Sequence, residues 1–189
     1  FYDDTFTAFR ENVKEFCERI IKEKIDVTWS CMSRIDFVDR EILGLMRQAG
    51  CHQIGYGLES ANLEILKNIR KPISLELAKK VVRLTKEAGI DVRAMFMLGN
   101  PGETEETIKQ TIDFAIKLRP ELAIFNITTP LPGTEMYEWA SEKGYLLNMK
   151  WSEFDHANVV MRLPSISPDM VKYYYRIAYK RFYLRPSYL

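Results

Sequence analysis

Short apolar runs ending near residues 2, 32, 58, 98 and 128 alternate with stretches patterned for helix, and this alternation limits the folds open to the chain. Strand, helix and strand in strict turn imply parallel strands joined by right-handed helical crossovers. Five such strands fit a doubly wound sheet or part of a β/α barrel. A complete eight-unit barrel typically takes about 250 residues, whereas this chain has 189.

The punctuation of the pattern is local. Phe9, Val13, Phe16, Cys17, Ile20 and Ile21 recur at helical spacing within residues 7–24 and are expected to face inward. Asp39, Ser74 and Ser167 are expected helix caps, with Pro168 in the first turn of the last helix. Glu103, Glu105 and Glu106 are placed in the first turn of a helix reaching Leu118, where the helix dipole favours carboxylates. After Gly144 the alternation stops: a loop with a short extended piece at 159–161 leads to a final helix. We therefore expect a core over residues 1–144 and a C-terminal extension over 145–189.

Residues 53–60, Gln-Ile-Gly-Tyr-Gly-Leu-Glu-Ser, read as a buried strand with two glycines that ends in a carboxylate and a hydroxyl. Polar groups at the carboxyl ends of parallel strands are where such folds bind ligands. The plainer reading, that Glu59 and Ser60 cap the next helix, stays open. The other strand ends bring Asp3 and Asp4, Ser30 and Cys31 with Arg34 beyond, Asn100 in a Gly-Asn-Pro-Gly turn, and Thr128 with Asn126 behind it. Lys71 follows Glu59 by twelve residues. Carboxylates and cations around one mouth suit a ligand carrying both charges, such as an amino acid, and a carboxylate can accept both hydroxyls of a ribose. Against this, Asp3 and Asp4 can cap a helix, Arg34 can pair with Asp36 or Asp39, and Lys71 can simply be solvated.

A net charge of +1 argues against a general nucleic-acid or membrane-surface role. No apolar run approaches the roughly 20 residues of a membrane span. Residues 170–189 hold five basic residues, no acidic one and six tyrosines, which can form an RNA surface or pack rings inward and leave the charges in water. Cys17, Cys31 and Cys51 are odd in number and match no metal spacing, as expected of reduced thiols in a cytoplasm. Neither the phosphate loop nor the dinucleotide fingerprint is present.

Phe1-Tyr2-Asp3-Asp4-Thr5-Phe6-Thr7, Trp29-Ser30-Cys31 with Arg34-Ile35-Asp36, Gly57-Leu58-Glu59-Ser60, Met97 through Thr104 and Pro130 through Thr134 together resemble, in order and spacing, the radical S-adenosylmethionine enzymes. The likeness covers about residues 1–144. The tail from Trp151 to Pro186 resembles the branch that often carries an upstream cobalamin-binding domain. The resemblance implies a parallel partial (β/α)6 barrel, here lacking its first β/α unit and followed by a C-terminal helical tail. It implies a [4Fe–4S] cluster, S-adenosylmethionine cleaved to a 5′-deoxyadenosyl radical, a small-molecule substrate, and a reductant such as flavodoxin or ferredoxin. By position, Asp3 or Asp4 would take the methionine ammonium, Glu59 the ribose hydroxyls, and Lys71 the methionine carboxylate. The backbone at Met97 and Leu98 would flank adenine, Ser30 and Ser60 join the cofactor-binding set, and Arg34 and Asn126 are the candidate catalytic residues facing substrate or cofactor.

One departure matters. The family's Cys-x3-Cys-x2-Cys triplet is absent, and no residue here is assigned to a metal. With no initiator methionine, the chain reads as a piece whose cluster loop would precede Phe1, and which alone should not turn over. The alternatives are a non-catalytic barrel that binds S-adenosylmethionine or a nucleoside, and an RNA-interacting module.

Overall fold

The apolar runs ending near residues 32, 58, 98 and 128 become strands of one sheet, with helices between them in the chain. In the computed structural model, which describes residues 1–147, 150–186 and 188, α1 (Arg10–Glu23), β1 (Trp29–Ser33), α2 (Arg40–Gln48) and β2 (Cys51–Glu59) come first. The short α3 (Leu63–Asn68), α4 (Leu75–Glu87), β3 (Asp91–Leu98), α5 (Glu105–Leu118), β4 (Leu122–Ile127), α6 (Glu135–Glu142) and α7 (Pro168–Tyr183) follow. The sheet runs β1-β2-β3-β4, in chain order without a reversal. A doubly wound sheet would reverse direction at a switch point; unbroken order in a parallel sheet with helical crossovers is that of a partial β/α barrel. β1 and β2 pair in parallel, with Met32 opposite Gly55 and an irregularity between Trp29 and Ser30.

The first expected strand does not form. Among the described residues the sheet has four strands, and the segment ending near Tyr2 makes one strand-like bond, from the Phe1 ammonium to the Ser30 carbonyl at 2.8 Å. The caps are as the sequence reads: Asp39 accepts from Ile42 N, Ser74 from Leu77 N and Ser167 from Met170 N. Two residues of the first helical stripe differ. Phe9 is 72% exposed because it precedes α1 in an extended conformation, and Ile21 falls on the outer face.

Packing divides into two compact units, one formed by Phe1–Leu58, Ile73–Met95 and Leu118–Ala123, the other by Glu59–Pro72, Phe96–Lys117 and Ile124–Leu189. In the first, Ile54, Tyr56, Val92 and Ala94 are buried with Ile42, Leu43 and Met46 of α2 and Val81 and Val82 of α4. The rings of Phe1, Phe6, Phe16 and Trp29 cluster with centroids 4.7 to 5.6 Å apart. In the second, Phe96 stacks on Phe125 at 5.5 Å, and Phe182 of α7 meets Phe125 edge-on at 6.3 Å. Each such side chain contributes about 1.5–3 kcal/mol on burial. No helix among the described residues is long and apolar enough to cross a membrane.

Along β3 burial alternates: Val92, Ala94, Phe96 and Leu98 are buried, while Arg93, Met95 and Met97 are partly exposed. In β4, Phe125 and Ile127 are buried, whereas Ile124 and Asn126 are partly exposed. The second face of these strands therefore mixes polar, methionine and aliphatic side chains that keep some exposure.

Candidate functional site

In the second unit, Glu59 ends β2 in a left-handed conformation, φ +60°, which costs a side-chain-bearing residue about 1–2 kcal/mol. The loop beyond it is pinned. Ser60 Oγ lies 3.2 Å from Thr111 Oγ1 of α5 and accepts from Asn62 N at 3.2 Å, while Ala61 N donates to Thr111 Oγ1 at 3.1 Å. Asn62 then caps α3, its Oδ1 accepting from Glu64 N and Ile65 N. After one short helix, Lys71 N donates to Leu66 O at 2.8 Å, and the Lys71 ammonium meets the Glu59 carboxylate in an ion pair. The side chains are 14% and 31% exposed for Glu59 and Lys71. The structure thus unites these two candidates and gives Ser60 a buried, loop-holding place.

The turn after β3 is built on a residue that the sequence reading assigned elsewhere. α5 begins at Glu105, and Glu103, fully buried, folds back on its own turn. Its Oε2 accepts from Gly99 N at 2.5 Å and Asn100 N at 2.9 Å, while Oε1 is buried with no hydrogen-bond partner among the described residues. Burial pushes the Glu103 carboxyl up to about 7, the backbone donors opposing this. Asn100 Nδ2 donates to Met97 O at 2.9 Å, and Thr128 donates from its hydroxyl to Asn100 Oδ1 and from its backbone to Leu98 O, both at 2.8 Å. The carbonyls of Met97 and Leu98 are therefore engaged; Met97's side chain is on the partly exposed face and Leu98's is in the core. The only sequence signal for this network was the Gly-Asn-Pro-Gly-Glu spacing. Beside it, Asn68, Ile69, Arg70, Pro101, Gly102, Glu135, Met136 and Trp139 line an open cavity of about 520 Å³.

The tail belongs to this unit's packing. Tyr174 donates to Glu105 at 2.7 Å, Tyr179 meets both the amide and the carbonyl of Phe125 at 3.2 Å, and Ser165 donates to Glu103 O at 2.6 Å. Tyr174 and Phe182 turn inward and Tyr175, Tyr179 and Tyr183 are half-buried, while Tyr173, Lys172, Arg176, Lys180 and Arg181 stay exposed.

In the first unit, Asp3 and Asp4 are exposed and Ser30 is partly buried on β1. Arg34 forms a two-pronged pair with Asp36 at 2.9 and 2.8 Å and lies over the Phe37 ring. This local pairing is the surface alternative that the spacing allowed. The three cysteines, distant in sequence, all enter the core of this unit. Burial pushes Cys17 up to about 11, and hydrogen bonding to Cys31 with burial raises Cys51. Thiols enclosed in the core in this way are poorly placed to ligate a metal. Among the described residues no group of three His, Cys, Asp or Glu could hold a metal ion.

Residues 1–115 match the model of the Radical SAM superfamily. An uncharacterized methyltransferase of Pyrococcus horikoshii is 35% identical over 189 residues, all of this chain and 41% of the relative. An anaerobic magnesium-protoporphyrin IX monomethyl ester cyclase of Rubrivivax gelatinosus is 28% identical over 99% of this chain and 34% of its own length. The chain thus spans well under half of either relative. Among solved structures, the radical S-adenosylmethionine methyltransferase TsrM from Kitasatospora setae, with cobalamin and a [4Fe–4S] cluster bound, aligns with TM-score 0.64 at 23% identity over 71% of this chain and 27% of that one. Coproporphyrinogen III oxidase from Escherichia coli aligns with TM-score 0.62 at 17% identity, over 90% of this chain and 37% of that one. At these identities the likeness is one of fold.

Proposed function

We propose a function that takes family membership as its premise: this chain belongs to the Radical SAM superfamily. It is the core of an enzyme, an oxidoreductase or methylase, that binds S-adenosylmethionine and acts on a small molecule. The Glu59–Lys71 pair at the end of β2 carries the reading. Glu59 presents a carboxylate whose two oxygens can accept two ribose hydroxyls, and its left-handed backbone fixes the direction of presentation. Lys71, already beside it, can exchange that partner for the methionine carboxylate. Ser60 holds the loop that aims Glu59. The exposed carboxylates of Asp3 or Asp4 take the methionine ammonium. Because the Met97 and Leu98 carbonyls are engaged internally, this stretch flanks adenine by contact. Asn126 and Ser30 stand on partly exposed strand positions suited to substrate or cofactor, and Arg34 would have to leave Asp36 to join them.

S-adenosylmethionine, when bound and reduced, supplies hydrogen-atom abstraction. The cysteines of this chain do not fit an iron–sulfur cluster, being buried in the core and lacking the family's triplet spacing, so the cluster is assigned to other sequence of the whole protein. The methyltransferase relatives and the cobalamin in TsrM favour a cobalamin-dependent methylase. We assign residues 1–144 to the barrel core and 145–189 to an extension. Buried free thiols support a cytoplasmic setting, and a flavodoxin or ferredoxin is the reductant.

The test uses the full-length polypeptide, reconstituted anaerobically with iron and sulfide and assayed for 5′-deoxyadenosine on reduction with S-adenosylmethionine. Product that collapses in Glu59→Gln supports the reading. Binding without product makes this a non-catalytic barrel, and neither binding nor product overturns the ligand assignment.

A further inference from the structure

Arg93 stands on the partly exposed side of β3 and pairs with no carboxylate among the described residues. Exposed Arg34, Arg40, Arg70, Arg83 and Arg181 each hold an aspartate or glutamate. Partly buried Arg93 does not: Nη2 donates to the sulfur of Met32 at 3.2 Å, a weak acceptor, and Nε is buried with no acceptor among the described residues. A guanidinium taken from water without an anion is costly, and buried unsatisfied donors in a folded protein call for an explanation.

The surroundings are shaped around it. Gly55 of β2 stands opposite Met32 of β1. A Cβ there would come within 2.5 Å of Met32 Sδ and 3.3 Å of Arg93 Nε. The missing side chain leaves a flat backbone floor for the guanidinium, as glycine in a strand interior does where groups approach closely.

We propose that Arg93 anchors an oxyanion, a carboxylate or a phosphate, carried by the substrate. This rests on the enzyme reading above and narrows its substrate to an anionic one. A guanidinium presents a planar fork of N–H donors matched to two oxygens of either group, and Nε is the buried donor that has no acceptor among the described residues.

The test is calorimetric titration of the full-length protein with inorganic phosphate and, separately, with succinate. Saturable binding of at least one, weakened about tenfold or more in Arg93→Met and partly kept in Arg93→Lys, is expected from the loss of a charge-assisted hydrogen bond. Tighter phosphate marks a phosphorylated substrate, tighter succinate a carboxylated one. Without anion, Arg93→Met should melt above wild type, because it removes an uncompensated charge. No saturable binding of either anion, equal binding by Arg93→Met, or a lower melting temperature in that variant overturns the assignment. Neither readout depends on 5′-deoxyadenosine, so this idea and the enzyme reading can fail separately.

Discussion

Lys71 reaches back twelve residues to set its ammonium on the carboxylate of Glu59, the last residue of β2. Both side chains keep some contact with solvent, so the pair adds about 1 kcal/mol or less to stability. In the proposed function its value is to hold the two groups together before the ligand arrives. Glu59→Gln should lower S-adenosylmethionine affinity at least about tenfold, the equivalent of one charge-assisted hydrogen bond, with little change in melting. Glu59→Gly should lose binding yet unfold no earlier than wild type, because φ +60° suits glycine. Titration calorimetry with denaturation on the same preparations checks both.

Glu103 predicts a pH dependence of stability. Its folded-state value of about 7 lies above the ordinary 4.5, so the native protein holds a proton that the unfolded chain releases between those values. Stability from this group is complete below about pH 4.5 and declines as pH rises towards 7, with a slope of at most about 1.4 kcal/mol per pH unit. Glu103→Gln should flatten that slope in urea melts taken from pH 5 to 8. An unchanged slope would place the titration elsewhere.

The thiols of Cys17, Cys31 and Cys51 should resist alkylation in the native state, since all three are essentially inaccessible and reaction needs an exposed thiolate. Labelling with a thiol reagent at pH 8 should follow unfolding, accelerating with urea. Rapid labelling of the native protein would contradict the packing described.

Tyr56 is fully buried and its hydroxyl lies 2.9 Å from Thr85 Oγ1, which itself donates to Val81 O. Tyr56→Phe should cost about 1 kcal/mol. It should lower the urea midpoint with the slope of the transition unchanged.

Sequence reading recovered what short-range physics fixes. Asp39, Ser74 and Ser167 cap their helices because a side-chain oxygen reaches an amide three residues on whatever the tertiary context. It missed what requires a turn in space. Lys71 looks solvated until α3 turns the chain back on Glu59, and Glu103 looks like a first-turn carboxylate until it folds onto Gly99 and Asn100. The three cysteines share a core only once α1 packs on β1. Arg93 sat inside an apparently apolar run, and its phase relative to Val92 and Ala94 was the available clue.

The alternation along β3 has a consequence for how this protein can diverge. Even-numbered positions from Val92 to Leu98 are locked into the interior, whereas Arg93, Met95 and Met97 project from the other side of the same backbone. A single strand therefore carries two separate inheritances, and a lineage can rewrite one without disturbing the other. Descendants with a different chemical appetite should differ at the odd positions while their even ones drift only among residues of similar bulk.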